Sequence, residues 1–204
     1  MKITRGGNQT GSVRLISGKW GGRVLSFPSI DGLRPTLGSQ RETLFNWLRP
    51  IIRNSRCLDL FAGSGALGFE AASGGANCVF LVEKSKEVYL SLLSNAELLN
   101  AENCRIFHST AQSFLERYPE QFDIFFLDPP FSNLEILEKT VSLIKERLSE
   151  GQLIYLEGSN IKFLKELCQK HSLNIYKETS GGHRAGILAE RRSKRREPNA
   201  VSLR

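Results

Sequence analysis

The 204-residue sequence is poor in residues that hold metals. It has three histidines, His108, His171 and His183, and four cysteines, Cys57, Cys78, Cys104 and Cys168, with no Cys-x-x-Cys pair. Thiols scattered in this way read as reduced and buried rather than as disulfides or metal ligands, so no metal site is expected. There is no apolar run of membrane-spanning length. The opening residues, Met1 to Arg5, lack the apolar core of a secretory signal. No internal repeat or long linker interrupts the chain. These absences predict a globular cytoplasmic protein of a size for which a single core suffices.

Against that background two segments stand out. Residues 123–131 read Asp-Ile-Phe-Phe-Leu-Asp-Pro-Pro-Phe, an apolar run that ends in a carboxylate, two prolines and an aromatic ring. Consecutive prolines cannot continue a helix and give no N–H to a ladder, so the chain must leave the strand in a fixed extended form. Asp128 and the carbonyl of Pro129 then become two acceptors beside the flat surface of Phe131. Such a site suits a planar group bearing an NH₂. Pro-Pro alone is equally a strand end followed by a turn.

Some sixty residues upstream, Cys57-Leu58-Asp59-Leu60-Phe61-Ala62-Gly63-Ser64-Gly65-Ala66-Leu67-Gly68 reads as a strand, a tight glycine turn and a helix start. Free backbone N–H groups and close ligand approach are expected there. Gly63, Gly65 and Gly68 also satisfy G-x-G-x-x-G, so a nicotinamide dinucleotide site competes. A second strand, Cys78 to Val82, ends in Glu83, about twenty residues after the first glycine, where an acid can accept both hydroxyls of a ribose of NAD or of S-adenosylmethionine. Asp59 tilts the choice, because a carboxylate before the loop repels pyrophosphate and suits a cationic ligand.

Periodicity predicts strands over 13–17 and 23–27, forming an N-terminal hairpin around Gly18-Lys19-Trp20-Gly21-Gly22, and a helix from a Ser39 cap to Trp47 with Glu42 completing a capping box. Strands follow at 57–61, 78–82, 104–108, 122–127, 152–156, 173–178 and 186–190. Helices are predicted at 65–73, 85–99, 111–117, 134–148 and 161–171. The alternation implies a mostly parallel α/β sheet covered on both faces, with ligands at the strands' carboxyl ends, where Gly63, Glu83, Thr110 and Asp128 all fall. The expected organisation is one domain over 1–190, with the hairpin within 12–30, a catalytic core over 54–190 and a flexible basic tail over 191–204. Charge divides in the same way: net +7 over 1–53, −5 over 54–183 and +5 over 184–204. Basic ends around a nucleotide-type site suggest a polyanionic substrate.

The segment Leu58 to Glu70 together with Asp128-Pro129-Pro130-Phe131 resembles the class I S-adenosylmethionine-dependent amino-methyltransferases. More narrowly, Arg14-Leu15-Ile16-Ser17-Gly18-Lys19-Trp20-Gly21-Gly22-Arg23, Leu33-Arg34-Pro35-Thr36 and Arg41 to Leu48 resemble the bacterial 16S ribosomal RNA guanine-N2 methyltransferases. The likeness runs from about residue 12 to about residue 190. It implies a Rossmann-like fold with a seven-stranded sheet, S-adenosylmethionine as cofactor, and methylation of guanine 966 of 16S rRNA, within a small subunit or assembly intermediate, by a monomer. Asp59, Phe61, Gly63, Gly65, Glu83, Thr110 and Ala111 are then cofactor residues, and Asp128, Pro129 and Phe131 catalytic. Lys19, Arg23, Arg34, Thr36, Arg41 and Pro130 are candidate substrate contacts. Relatives usually carry Asp or Asn at the position of Thr110, which puts that side chain's adenine contact in question. A packed tryptophan is the competing reading of Trp20, and a helix-end ion pair that of Arg41. A DNA adenine-N6 methyltransferase shares the Asp-Pro-Pro-aromatic logic, but no segment is spare for a DNA-reading domain. A protein-glutamine methyltransferase usually has Asn in place of Asp128. A nicotinamide oxidoreductase and a non-catalytic RNA-binding protein are the alternatives from other classes.

Overall fold

The computed structural model describes residues 10–28, 38–130 and 134–191. The expectations for Arg34, Thr36, Phe131 and residues 192–204 of the tail lie outside the described residues. β1 (Thr10–Arg14) and β2 (Val24–Pro28) form a separate antiparallel hairpin. α1 (Gly38–Leu48), β3 (Arg56–Asp59), α2 (Ala66–Ser73), β4 (Cys78–Glu83), α3 (Lys86–Leu99), β5 (Cys104–His108), α4 (Ala111–Arg117) and β6 (Ile124–Leu127) follow. α5 (Leu134–Lys145), β7 (Leu153–Gly158), α6 (Ile161–Lys170), β8 (Leu173–Gly181) and β9 (Arg184–Arg191) complete the order. The sheet has seven strands, ordered β5-β4-β3-β6-β7-β9-β8. The first five run parallel, and β9 enters antiparallel between β7 and β8.

The strands lie between two apolar layers, which is why β6 is apolar at every position rather than alternating. One layer joins Cys57, Leu81, Phe126 and Tyr155 of the sheet to α1, α2 and the hairpin residues Leu25 and Phe27. The other joins Leu58, Phe80, Phe125 and Ile154 to α4, α5 and α6. Strands with acceptors or turns at their carboxyl ends therefore bring all of them to one edge of a rigid slab.

Several boundaries differ from the sequence expectation for identifiable reasons. β1 stops at Arg14, short of the expected end at 17: the Leu15 amide still donates to the Arg23 carbonyl at 2.8 Å, but Ile16 and Ser17 donate instead to the carboxylate of Glu70, at 2.9 and 2.8 Å. Ser39 is not a cap; it lies inside α1, its carbonyl accepting from Thr43 Oγ1 at 2.9 Å. The closing strands are longer than expected, meeting in a tight turn at Gly182 and His183, so Arg184 is a strand residue at the site's edge of the sheet.

The hairpin is held by side chains. Trp20 is buried, and its backbone N–H donates to Ser73 Oγ at 2.9 Å. From the other strand, Ser26 exchanges hydrogen bonds with Asn95 of α3, at 3.2 and 2.8 Å. The hairpin is thereby fixed to the two helices that follow the first two sheet strands. No helix among the described residues is long and apolar enough to cross a membrane.

Candidate active site

The site is built on the turn between β3 and α2. Gly65 has φ +79, a left-handed conformation that disfavours side chains, and a Cβ there would stand 2.6 Å from the ring of Phe69. Gly68 admits α2 against the sheet: a Cβ would sit 2.7 Å from Leu81. Its N–H donates to Asp59 Oδ2 at 3.1 Å, and Asp59 Oδ1 accepts from Phe61 at 3.4 Å. Asp59 thus braces the turn from beneath while still lining the cavity above it.

Glu83, at the end of β4, closes the turn from the side. Its Oε2 accepts the N–H of Gly63 at 3.0 Å and its Oε1 that of Ser85 at 2.7 Å. This bears on the dinucleotide alternative. The Gly63 N–H that a pyrophosphate needs already serves a carboxylate, and two acids stand where the phosphates' charge would fall. Thr110 caps α4, its Oγ1 accepting from Ser113 N–H at 3.1 Å. Helix capping is therefore the observed role of the side chain whose adenine contact was in question. The backbone N–H of Ala111 lies in the first turn of α4, where helical amides have no carbonyl partner within the helix.

These groups line one cavity of about 720 Å³ with Phe61, Asp128, Pro129 and Pro130. Asp128 is partly buried, Pro129 buried and Pro130 exposed. Of the sequence-derived candidates, the structure brings together Asp59, Phe61, Gly63, Glu83, Thr110, Ala111, Asp128, Pro129 and Pro130, with Gly65 shaping the turn beside them. Lys19, Arg23 and Arg41 do not line the cavity. Lys19 and Arg23 are exposed on the hairpin, the Lys19 ammonium lying 5.5 Å from the Trp20 ring centroid and Arg23 donating to the Leu98 carbonyl at 3.1 Å. Arg41 is buried: it lies 3.8 Å from Glu70 and donates to the Arg14 carbonyl at 2.5 Å, a structural placement rather than a presented cation.

Residues not singled out from the sequence complete the walls. Ile136, Lys139, Thr140 and Leu143 of α5 form one side, and Arg184 another. Arg184 Nη1 donates to Glu157 Oε1 at 2.6 Å, and Tyr155 Oη donates to Glu157 Oε2 at 3.0 Å. Glu157 had a legible signal, since it follows the apolar run of β7 just as Glu83 follows that of β4. Among the described residues no cluster of side chains could hold a metal ion.

Burial and the negative charge of Asp128 push the Asp59 carboxyl up to about 7, against the hydrogen bonds from Phe61 and Gly68. With an unfolded value near 3.8, the folded state holds this proton longer. The associated stability is present in full below the unfolded value and is lost as pH rises through about 7, at about 1.4 kcal/mol per unit of separation. Asp59→Asn, which cannot ionise, is expected to flatten the fall in unfolding free energy between about pH 4 and 7 in denaturant titrations. Equal slopes for the two proteins would show that Asp59 does not carry the effect.

Sheet order and a cavity along the carboxyl edge are those of the class I methyltransferase fold. Precorrin-6y C5,15-methyltransferase of Geobacter metallireducens has this fold, with a TM-score of 0.66 at 19% identity over 82% of this chain and 94% of that one. Residues 13–188 match the family described as conserved hypothetical protein 95. The ribosomal RNA small subunit methyltransferase D of Escherichia coli strain K12 is 45% identical over 151 residues, covering 73% of this chain and 76% of the relative. Its namesake in Haemophilus influenzae is 43% identical over 168 residues, covering 79% and 86%. A solved Escherichia coli structure has a TM-score of 0.76 at 36% identity, over 89% of this chain and 98% of that one. The chain belongs to the ribosomal RNA small subunit methyltransferase D family, and it is a methyltransferase.

Proposed function

We propose that this chain uses S-adenosylmethionine to methylate the exocyclic N2 amine of a guanine in 16S rRNA, at the position, 966, that the family resemblance implies. The observation that carries the reading is the shared cavity: the glycine turn and Glu83 form one wall, and Asp128 with Pro129 forms the other. The residues present fit that cofactor. Asp59 and Glu83 line the cavity with carboxylates on the side of the glycine turn, which favour a ligand bearing sulfonium and ammonium charges. Glu83 lies where it can accept ribose hydroxyls in addition to its two amides. The Ala111 amide and the edge of Phe61 border the adenine.

When bound, the cofactor supplies an electrophilic methyl group. The chain's own residues then act on the acceptor. The lone pair of guanine N2 is delocalised into the ring, so the amine is a weak nucleophile. Asp128 and the Pro129 carbonyl accept its two N–H bonds and hold the nitrogen toward the geometry that attack requires. Pro129 and Pro130 fix both acceptors, and alignment of this kind can recover roughly 7–11 kcal/mol of barrier. Asp128 takes the proton after the C–N bond forms, so it need not be a strong base. Stacking of an aromatic ring on the base, the role the family resemblance implies for Phe131, is worth roughly 1–3 kcal/mol in other stacking sites. The base must leave its stack to enter. Lys19 and Arg23, carried on a hairpin fixed to α2 and α3, contact the RNA backbone.

Incubation with labelled S-adenosylmethionine and, in parallel, small-subunit rRNA, duplex DNA and protein acceptors tests the substrate class. Label in RNA alone is expected. Label in DNA or protein alone would overturn the reading.

A further inference from the structure

Arg184 and Glu157 are absent from the mechanism above, yet they are the most deeply buried charged pair at the cavity's edge. Arg184 is 9% exposed and Glu157 fully buried. Their position follows from strand register. Leu127 of β6 lies opposite Leu156 of β7, so the next step sets Asp128 beside Glu157. Glu157 lies opposite Gly186 and Gly158 opposite Ala185, so Arg184 begins β9 just beyond them, on the same edge. Side chains alternate along a strand, which puts Asp128, Glu157 and Arg184 on one face. Arg184 reaches back to Glu157, one strand nearer to Asp128. A donor fork therefore stands one to two strand spacings, roughly 5–10 Å, from an acceptor carboxylate. That is the scale of a purine edge with a hydrogen bond at each end.

The arrangement is braced from behind. Tyr155 Oη donates to Glu157, and it has room to do so because residue 186 is glycine: a Cβ there would lie 2.5 Å from that hydroxyl. Burial and Asp128 push the Glu157 carboxyl up, and the hydrogen bonds from Arg184 and Tyr155 oppose this, so the three groups hold one another. Of the cations that line the cavity among the described residues, Lys84 and Lys139 are exposed, whereas Arg184 is held in place.

We propose that Arg184 is the residue that selects guanine, donating to O6 of the target base while Asp128 and the Pro129 carbonyl accept from its amine edge, with Glu157 as the positioning residue. This rests on the guanine-N2 reading above. The Watson–Crick edge of guanine presents two donors, N2 and N1, and one acceptor, O6. Adenine set with its amine at Asp128 presents an acceptor, N1, next to the carboxylate, and it has no oxygen for the arginine. A point charge cannot substitute for the fork, since the planar guanidinium fixes the direction of its donors.

The test compares guanine with 2-aminopurine at the target position of the RNA. The analogue keeps the 2-amino group and lacks both O6 and the N1–H. Loss of the N1–H is common to every form of the enzyme, so a change in the guanine-to-2-aminopurine ratio of kcat/KM on substitution reports the O6 contact. Sites built to hydrogen-bond a substrate group reject the analogue lacking it strongly. Arg184→Met is expected to lower kcat/KM on guanine about 10²-fold, the scale of one lost preorganised donor. The value for 2-aminopurine should change little, so the ratio collapses. Arg184→Lys keeps a charge against Glu157 and guards against simple unfolding; it should fold, bind cofactor normally and still lose most of the discrimination. An equal fall on both bases, or an unchanged ratio in the lysine variant, would reduce Arg184 to a structural ion pair. If the unaltered enzyme transfers nothing to guanine, the guanine-N2 reading fails and this inference fails with it.

Discussion

Asp128→Ala is expected to lower turnover by ~10²–10³-fold, the loss seen when one preorganised polar contact to a reacting group is removed. Cofactor affinity should change little. The reason is spatial: the Gly63–Glu83 contact and the Thr110 cap, which shape the opposite wall, do not involve Asp128. Alanine removes one of the two acceptors and leaves only the Pro129 carbonyl. Asp128→Asn keeps one acceptor oxygen, so its loss should be smaller. Single-turnover methyl transfer, with cofactor affinity measured separately by calorimetry, distinguishes the cases. Unchanged turnover in the alanine variant would remove Asp128 from the chemistry. An equal loss of cofactor affinity would make it a cofactor residue instead.

The second large effect is expected far from the reacting atoms. Glu70 of α2 is fully buried and accepts from the Ile16 amide, the Ser17 amide and, at 3.1 Å, the Ser17 hydroxyl, with Arg41 Nε 3.8 Å away. Glu70→Ala leaves two backbone donors without their acceptor and a buried guanidinium without its counter-charge. Removing one partner of a buried ion pair typically costs about 3–5 kcal/mol, so a drop of that size in unfolding free energy is expected. Glu70→Gln keeps one acceptor oxygen and should lose less. Amide exchange locates the damage: protection should fall first at Ile16 and Ser17 and in β1–β2, while the sheet strands keep theirs. A loss below about 1 kcal/mol would mean that the Trp20 and Asn95 contacts suffice to hold the hairpin.

These two residues also mark how far the sequence could be read. Asp128 was legible because a carboxylate after an apolar run, followed by two prolines, permits few local structures. Glu83 and the glycine turn were legible on similar grounds, since each is a local pattern with a local consequence. The layered sheet followed from alternating strands and helices, and the unbroken apolar run of β6 from burial on both faces. What was not legible is pairing between distant segments. Glu70 lies in the quoted motif, but nothing nearby says that it receives amides more than fifty residues upstream. Arg41 read equally as a substrate contact and as a helix-end ion pair, and only its distant partners Glu70 and Arg14 decide. Arg184 was missed because the last strands were drawn too short, so it fell in a loop. Ser39 shows the converse failure: a good local capping pattern lies one position inside the helix it was expected to start.

The central claim is the identity of the methylated atom. Small-subunit rRNA lacking its own modifications, presented naked and protein-bound, should be incubated with the enzyme and labelled S-adenosylmethionine, digested and resolved into nucleosides. Label in N2-methylguanosine is the result predicted here. Label in N6-methyladenosine would keep the fold and the cofactor but contradict the assignment of the Asp128 pocket to guanine.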